Sequence, residues 1–301
     1  MEELEPSPVD SPASTPSYPT NPSDIDPEKD SYFRPNAPQR STTNSLGLTP
    51  SRTLRVLSAL QKYSTVPPSI YLLMHYANTA IIPLVTQSLS ISDDLLLLTR
   101  PYYQSFPLEP LLIFAPVATH VISGISLRLY RRRQSALRHG AETHSQRKSI
   151  AWPKLSLTSA LGYALYPMLA AHILVNRITP LKVEGNSSGV GLRYFAHGIA
   201  RHPLLSNLGY SVMLCVASWH FVGGAAKYLK LSREYVTEGG DYGNQKRKRR
   251  GWIINGMSGL VAALWIAGGL GVIGRGGQGI GWEASNWEKI YKSVPVVGQW
   301  M

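Results

Sequence analysis

At 301 residues, with a formal net charge of +12 and a mean hydropathy close to zero, the chain has the averages of a basic soluble protein. Those averages conceal two kinds of segment, because proline, serine and threonine crowd residues 1–65 while long apolar runs alternate with short basic loops over 66–274. The single cysteine, Cys215, excludes an internal disulfide, and the acidic opening Met1-Glu-Glu-Leu-Glu5 reads neither as a secretory signal nor as an Arg-rich presequence.

Residues 1–50 carry prolines at short intervals from Pro6 and Pro8 to Pro50, which disfavours helix and sheet and leaves an extended, solvated tail. Such a chain is inexpensive to order in a partner's groove, and Leu4-Glu-Pro6-Ser-Pro8 is a candidate docking peptide. Residues 51–65 read as an interfacial amphipathic helix capped by Ser51, with Leu54, Val56, Leu57 and Leu60 set against Arg52, Arg55 and Lys62.

A crossing of about 30 Å needs roughly 20 apolar residues in a helix. Five stretches qualify: 66–89, 108–130, 155–178, 207–230 and 252–273. Their internal prolines and glycines suit packed membrane helices, and the small pairs Gly259/Ala263 and Ala267/Gly271 suit close approach by the fifth. The fold class is therefore all-α, a five-helix transmembrane domain over 66–273 between the disordered N-terminal tail and a Gly-rich C-terminal tail, 274–301. Arg131, Arg132, Arg133, Arg138, Arg147, Lys148 and Lys154 follow the second stretch, and Arg233 with Lys246 to Arg250 follow the fourth. By the positive-inside rule these loops share the cytosolic side with the tail, which puts the C-terminus across the membrane. Membrane-flanking position makes anionic headgroups a better partner for them than nucleic acid.

Four stretches hold one histidine each, at His75, His120, His172 and His220. A polar ring in hydrocarbon faces the bundle interior and needs a partner, and two imidazoles on facing helices can ligate a haem iron. Counting depth from the cytosolic ends puts His120 and His220 at about 15 Å, His75 at about 14 Å and His172 at about 26 Å. One haem b at most is then allowed, with His120 and His220 as the preferred axial pair and His75 and His172 less favoured. The alternative is that each histidine simply hydrogen-bonds a neighbouring helix for about 1 kcal/mol. Gly269-Leu-Gly-Val-Ile-Gly274 matches a dinucleotide fingerprint only formally, and His197 and His202, read as lying in a polar loop, lack further ligands at metal spacing. Acids are scarce in the membrane region and no hydrolase motif stands out, so catalysis is poorly supplied.

Tyr71-Leu-Leu-Met-His-Tyr-Ala-Asn78, Ala115-Pro-Val-Ala-Thr-His-Val-Ile-Ser-Gly124, Tyr166-Pro-Met-Leu-Ala-Ala-His172 and Ser218-Trp-His-Phe-Val-Gly-Gly224 resemble the fungal mitochondrial outer-membrane adaptor family. Its members suppress loss of the tether between endoplasmic reticulum and mitochondria and recruit a bridge-like lipid-transfer protein of the vacuolar-protein-sorting-thirteen type. The resemblance covers roughly 50–273, and that membrane domain is itself similar to the haem-bearing anchor subunits of succinate dehydrogenase and fumarate reductase. It implies a non-enzymatic adaptor in the outer membrane, N-terminus cytosolic and C-terminus in the intermembrane space, supporting lipid homeostasis at organelle contacts. It also implies that Pro6, Pro8 and the upstream Leu4 engage the transfer protein. The alternative is a b-type haem protein handling electrons or quinone.

Overall fold

The computed structural model describes residues 49–295 apart from residue 142, together with residue 298. The chain divides into two units, 1–52 and 53–301, and of the first only 49–52 are described. Leu4, Pro6 and Pro8 therefore lie outside the described residues.

Among the described residues all regular structure is helical. Helix α1 is Pro50–Tyr63. Thr49 Oγ1 accepts the Arg52 N–H at 3.4 Å, so the cap is Thr49 with Pro50 in the first turn, two residues before the Ser51 cap read from the sequence. Helix α2 covers 66–86, with a π-helical turn at Ala77–Ile81, and stops where Gln87 turns left-handed. Helix α3, Leu89–Thr99, is capped by Ser88. Helix α4 is Pro110–Arg138 and helix α5 is Leu157–Glu184, the latter capped by Ser156 and carrying Pro167. Helix α6 is Leu192–Arg201, α7 is Pro203–Tyr228, α8 is Gly240–Arg275 and α9 is Gly281–Lys292.

Among the described residues four helical stretches are long and apolar enough to cross a bilayer: α4, α5, the stretch Pro203–Tyr235 that contains α7, and α8. The fifth stretch of the sequence reading, α2, is long enough at about 30 Å but is less apolar. Pro67, Pro68, His75, Asn78 and Pro83 dilute it, and its buried residues are Asn78, Ala80 and Pro83. It packs in the bundle all the same. The helices turn large apolar side chains outward, with Leu73 at 70%, Val85 at 78%, Leu204 at 82% and Trp252 at 78% exposure. Such a surface suits hydrocarbon and would be a liability in water.

A close helix crossing lies between α2 and α8. A Cβ on Gly268 would sit 2.2 Å from the Ala80 carbonyl oxygen and 2.7 Å from its Cα, so only glycine admits this approach. Around it Trp265 Nε1 donates to Thr79 Oγ1 at 2.9 Å, and Tyr76 packs edge-on against Trp265. Of the pairs read from the sequence, Gly259 does face Trp219 of α7 at 3.7 Å, whereas Gly271 would meet only the backbone of its own helix. The seat of closest approach is thus one residue past Ala267.

The two ends of the bundle differ in charge. At one end Lys227 of α7 donates to Ser156 at the start of α5, and Lys62 lies over the Tyr228 ring at 4.6 Å. Here Arg132 stacks on Trp152 at 3.9 Å, while Arg247 and Arg250 of α8 donate to carbonyls of Val236, Glu238, Lys230 and Ser232. The basic run of α8 thus also ties down the preceding loop. At the other end the charges are mixed. Arg177 grips Glu109 and Ser187, Arg100 donates to the Ser187 and Ser188 carbonyls, and Asp93 accepts the Leu192 N–H at 2.6 Å beside Arg193. Burial raises the Asp93 pKa against the lowering effect of that N–H and of Arg193.

This mixed end holds two elements the sequence reading left as loop and Gly-rich tail. Helix α6 buries Leu192, Tyr194, Ala196, His197 and Ile199, and α9 buries Trp287 and Ile290 against it. Tyr194 and Tyr291 stack with ring centres 4.5 Å apart. His197 is therefore a buried helix residue, and its Nδ1 accepts the Gly279 N–H at 3.1 Å. Burial lowers its pKa.

Candidate functional site: two pairs of histidines

The four intramembrane histidines meet in two pairs. The rings of His120 on α4 and His220 on α7 lie 6.3 Å apart between centres, inclined at 72°. Those of His75 on α2 and His172 on α5 lie 6.1 Å apart, inclined at 71°. The sequence reading brought His120 and His220 together correctly. It placed His172 too deep to meet any of the others, and the structure instead sets it beside His75.

The reason is where the helices begin. The Gln61 carbonyl of α1 reaches the His120 ring and the Thr158 carbonyl of α5 reaches the His220 ring, so both acceptors stand level with the first pair. His75 follows Gln61, and His172 follows Thr158, by the same fourteen residues, about 21 Å of helix. α1 reaches the His120 level by Gln61, so α2 starts beyond that level and carries His75 to the height of His172.

Hydrogen bonds fix the chemistry of the first pair. His120 Nδ1–H donates to the Gln61 carbonyl at 3.0 Å, and His220 Nδ1–H donates to the Thr158 carbonyl at 2.9 Å. A carbonyl can only accept, so both protons sit on Nδ1 and each Nε2 keeps its lone pair, the state of a metal ligand. Gly162 makes this possible on α5. A Cβ there would lie 2.7 Å from His220 Cε1, and its absence opens the path to the carbonyl one turn earlier. Gln61 is an acceptor for a related reason, since the last carbonyls of a helix have no partner within it.

The second pair differs. Asn176 donates its amide N–H to the His172 carbonyl at 2.8 Å and lies 3.3 Å from His172 Nδ1, while the ring also packs on Tyr210. With an amide donor against Nδ1, the proton of His172 belongs on Nε2, which withdraws the lone pair a metal would need. His75 is stacked on Tyr71 and edge-on to Trp265. This pair forms a hydrogen-bonded aromatic layer.

An iron held about 2 Å from each of two imidazole nitrogens separates the ring centres by about 6 Å, the spacing of both pairs. Only His120 and His220 combine that spacing with the ligand tautomer. Among the described residues no cluster of three or more His, Cys, Asp or Glu could hold a bare metal ion.

The comparisons with known proteins bear on the same segment. The family model described as MDM10-complementing protein 1, transmembrane domain, matches residues 70–164 and 167–278. The chain belongs to this family. The matched residues include all four paired histidines and Gly268, and exclude α1, α9 and the tail. The yeast protein named Mitochondrial adapter protein MCP1, from Saccharomyces cerevisiae, is 27% identical over 151 residues, which cover 43% of this chain and 49% of the yeast protein. The chain thus spans about half the length of the curated relative it matches. No solved structure is detectably similar.

Proposed function

We propose that this chain is a non-enzymatic adaptor anchored in the mitochondrial outer membrane, whose N-terminal segment recruits a bridge-like lipid-transfer protein to organelle contacts. The observation that carries the reading is the family match across the helix bundle, joined by a relative whose name is that of a mitochondrial adapter. The charge asymmetry of the bundle supports a cytosolic tail, because the lysines and arginines gather at the end where α1 enters. Pro6, Pro8 and Leu4 would dock as an extended strand or polyproline segment. Co-precipitation of the transfer protein with the full chain tests this: Pro6→Ala combined with Pro8→Ala abolishes capture, and undiminished capture refutes the motif.

A second reading concerns haem b, and the ring spacing and Nδ1 protonation of His120 and His220 favour it. These two residues fit as axial ligands, and when bound the group would supply one-electron chemistry or a rigid cross-link between α4 and α7. The chain's own contribution is to fix the tautomers through Gln61 and Thr158 and to clear space at Gly162. A Soret band in detergent-purified protein that His220→Ala removes supports this reading, and its absence after haem addition rejects it.

A further inference from the structure

We infer that α1 is a working part of the His120/His220 site, so that haem occupancy there and the seating of α1 are thermodynamically linked; the inference rests on the haem reading above.

Gln61 is held from two sides. Its carbonyl accepts from His120 Nδ1–H, and its side chain occupies the space left by Gly124, where a Cβ would come 2.9 Å from Gln61 Nε2. Both contacts come from α4, one turn apart. Lys62, next along α1, covers the Tyr228 ring of α7. The end of α1 therefore rests on the same two helices that carry the ligand pair. The His220 side has no such dependence, since Thr158 belongs to α5, a membrane-crossing helix.

When α1 is unseated, His120 Nδ1–H loses its acceptor and the ring is released to rotate or to move its proton to Nε2. Either change weakens it as a ligand, and loss of an outer partner of this kind lowers metal affinity by roughly tenfold to a hundredfold. Linkage is reciprocal, so haem binding must tighten α1 by the same factor. Because α1 is the direct covalent continuation of residues 1–48, the occupancy of a membrane-buried site is then felt at the root of the segment assigned to partner recruitment. Gln61 is a positioning residue, acting on the cofactor through His120.

The test uses the full chain in detergent with haem as the probe. Gly124→Leu fills the seat of the Gln61 side chain and leaves both histidines in place. Haem titration followed at the Soret band is expected to show at least about tenfold weaker binding than wild type. In parallel, amide hydrogen exchange of residues 57–63 in wild type slows by a similar factor when haem is added, a readout that does not depend on any variant folding. Unchanged affinity in a folded Gly124→Leu, or exchange in 57–63 indifferent to bound haem, overturns the linkage and leaves the haem reading intact. No Soret band in wild type overturns the haem reading, and the linkage with it.

Discussion

Replacing Gly268 by alanine tests the close crossing of α2 and α8. A methyl group there would lie 2.2 Å from the Ala80 oxygen, 2.7 Å from its Cα and 2.8 Å from its carbonyl carbon, all of them main-chain atoms that cannot rotate away. Restoring ordinary contact moves α2 from α8 by about 1 Å, an overpacking cost of about 1–3 kcal/mol. The shift also stretches the Trp265–Thr79 hydrogen bond, worth about 0.6 kcal/mol in a membrane bundle. A total near 2–3 kcal/mol corresponds to roughly a 30- to 150-fold fall in the folding equilibrium constant. Gly256→Ala on the same helix is the control, since nothing lies within 4 Å of its added Cβ. Unfolding in mixed detergent and SDS, followed by tryptophan fluorescence, should place Gly268→Ala well below wild type and Gly256→Ala at or slightly above it. Equal midpoints for the two variants would refute the helix crossing.

Two more outcomes concern the mixed end of the bundle. Asp93→Ala removes the acceptor that caps α6 and costs about 1–2 kcal/mol by the same unfolding assay, whereas Asp93→Asn keeps an acceptor without the buried charge and costs less. For His197 the folded pKa is depressed by burial, so the neutral ring stabilises the docking of α9 above the unfolded value of about 6.5 and that stability is lost as pH falls below it. The protection of the α9 amides, with the intrinsic pH dependence of exchange divided out, should fall as pH drops below about 6.5, and His197→Gln should flatten the profile.

The sequence was most informative where hydrocarbon dictates the pattern. Long apolar runs gave α4, α5, α7 and α8, and the loop charges separated the two ends. α2 was read as an equal of these, although three prolines, His75 and Asn78 already marked it as more polar. Depth counted along each run failed for His75, because the count began at Val66 whereas the chain has already reached the His120 level in α1 by Gln61, an arrangement that depends on tertiary packing. The pairing of His120 with His220 survived because both were counted back from the C-terminal ends of stretches that run the same way, so an error in the plane moved both alike. The carbonyl partners Gln61 and Thr158 left no trace in residue identity, since any side chain brings the same carbonyl. Gly162 is one of several glycines internal to the apolar runs, and its role appears once the His220 ring lies on it. α6 and α9 escaped notice for a different reason: both are too short to cross a bilayer, and the amphipathic stripe Leu192, Phe195, Ala196 and Ile199 of α6 was passed over in a search for long apolar runs.

Protease treatment of intact mitochondria bears most directly on the central claim, that an apolar helical bundle holds a recruiting segment in the cytosol. Antibodies to residues 1–48 and to α9 would follow the two ends. The account requires added protease to remove the N-terminal segment while the α9 epitope stays protected until the outer membrane is opened. An N-terminal segment that survives in intact organelles, or an α9 that is lost with it, would contradict the orientation on which recruitment depends.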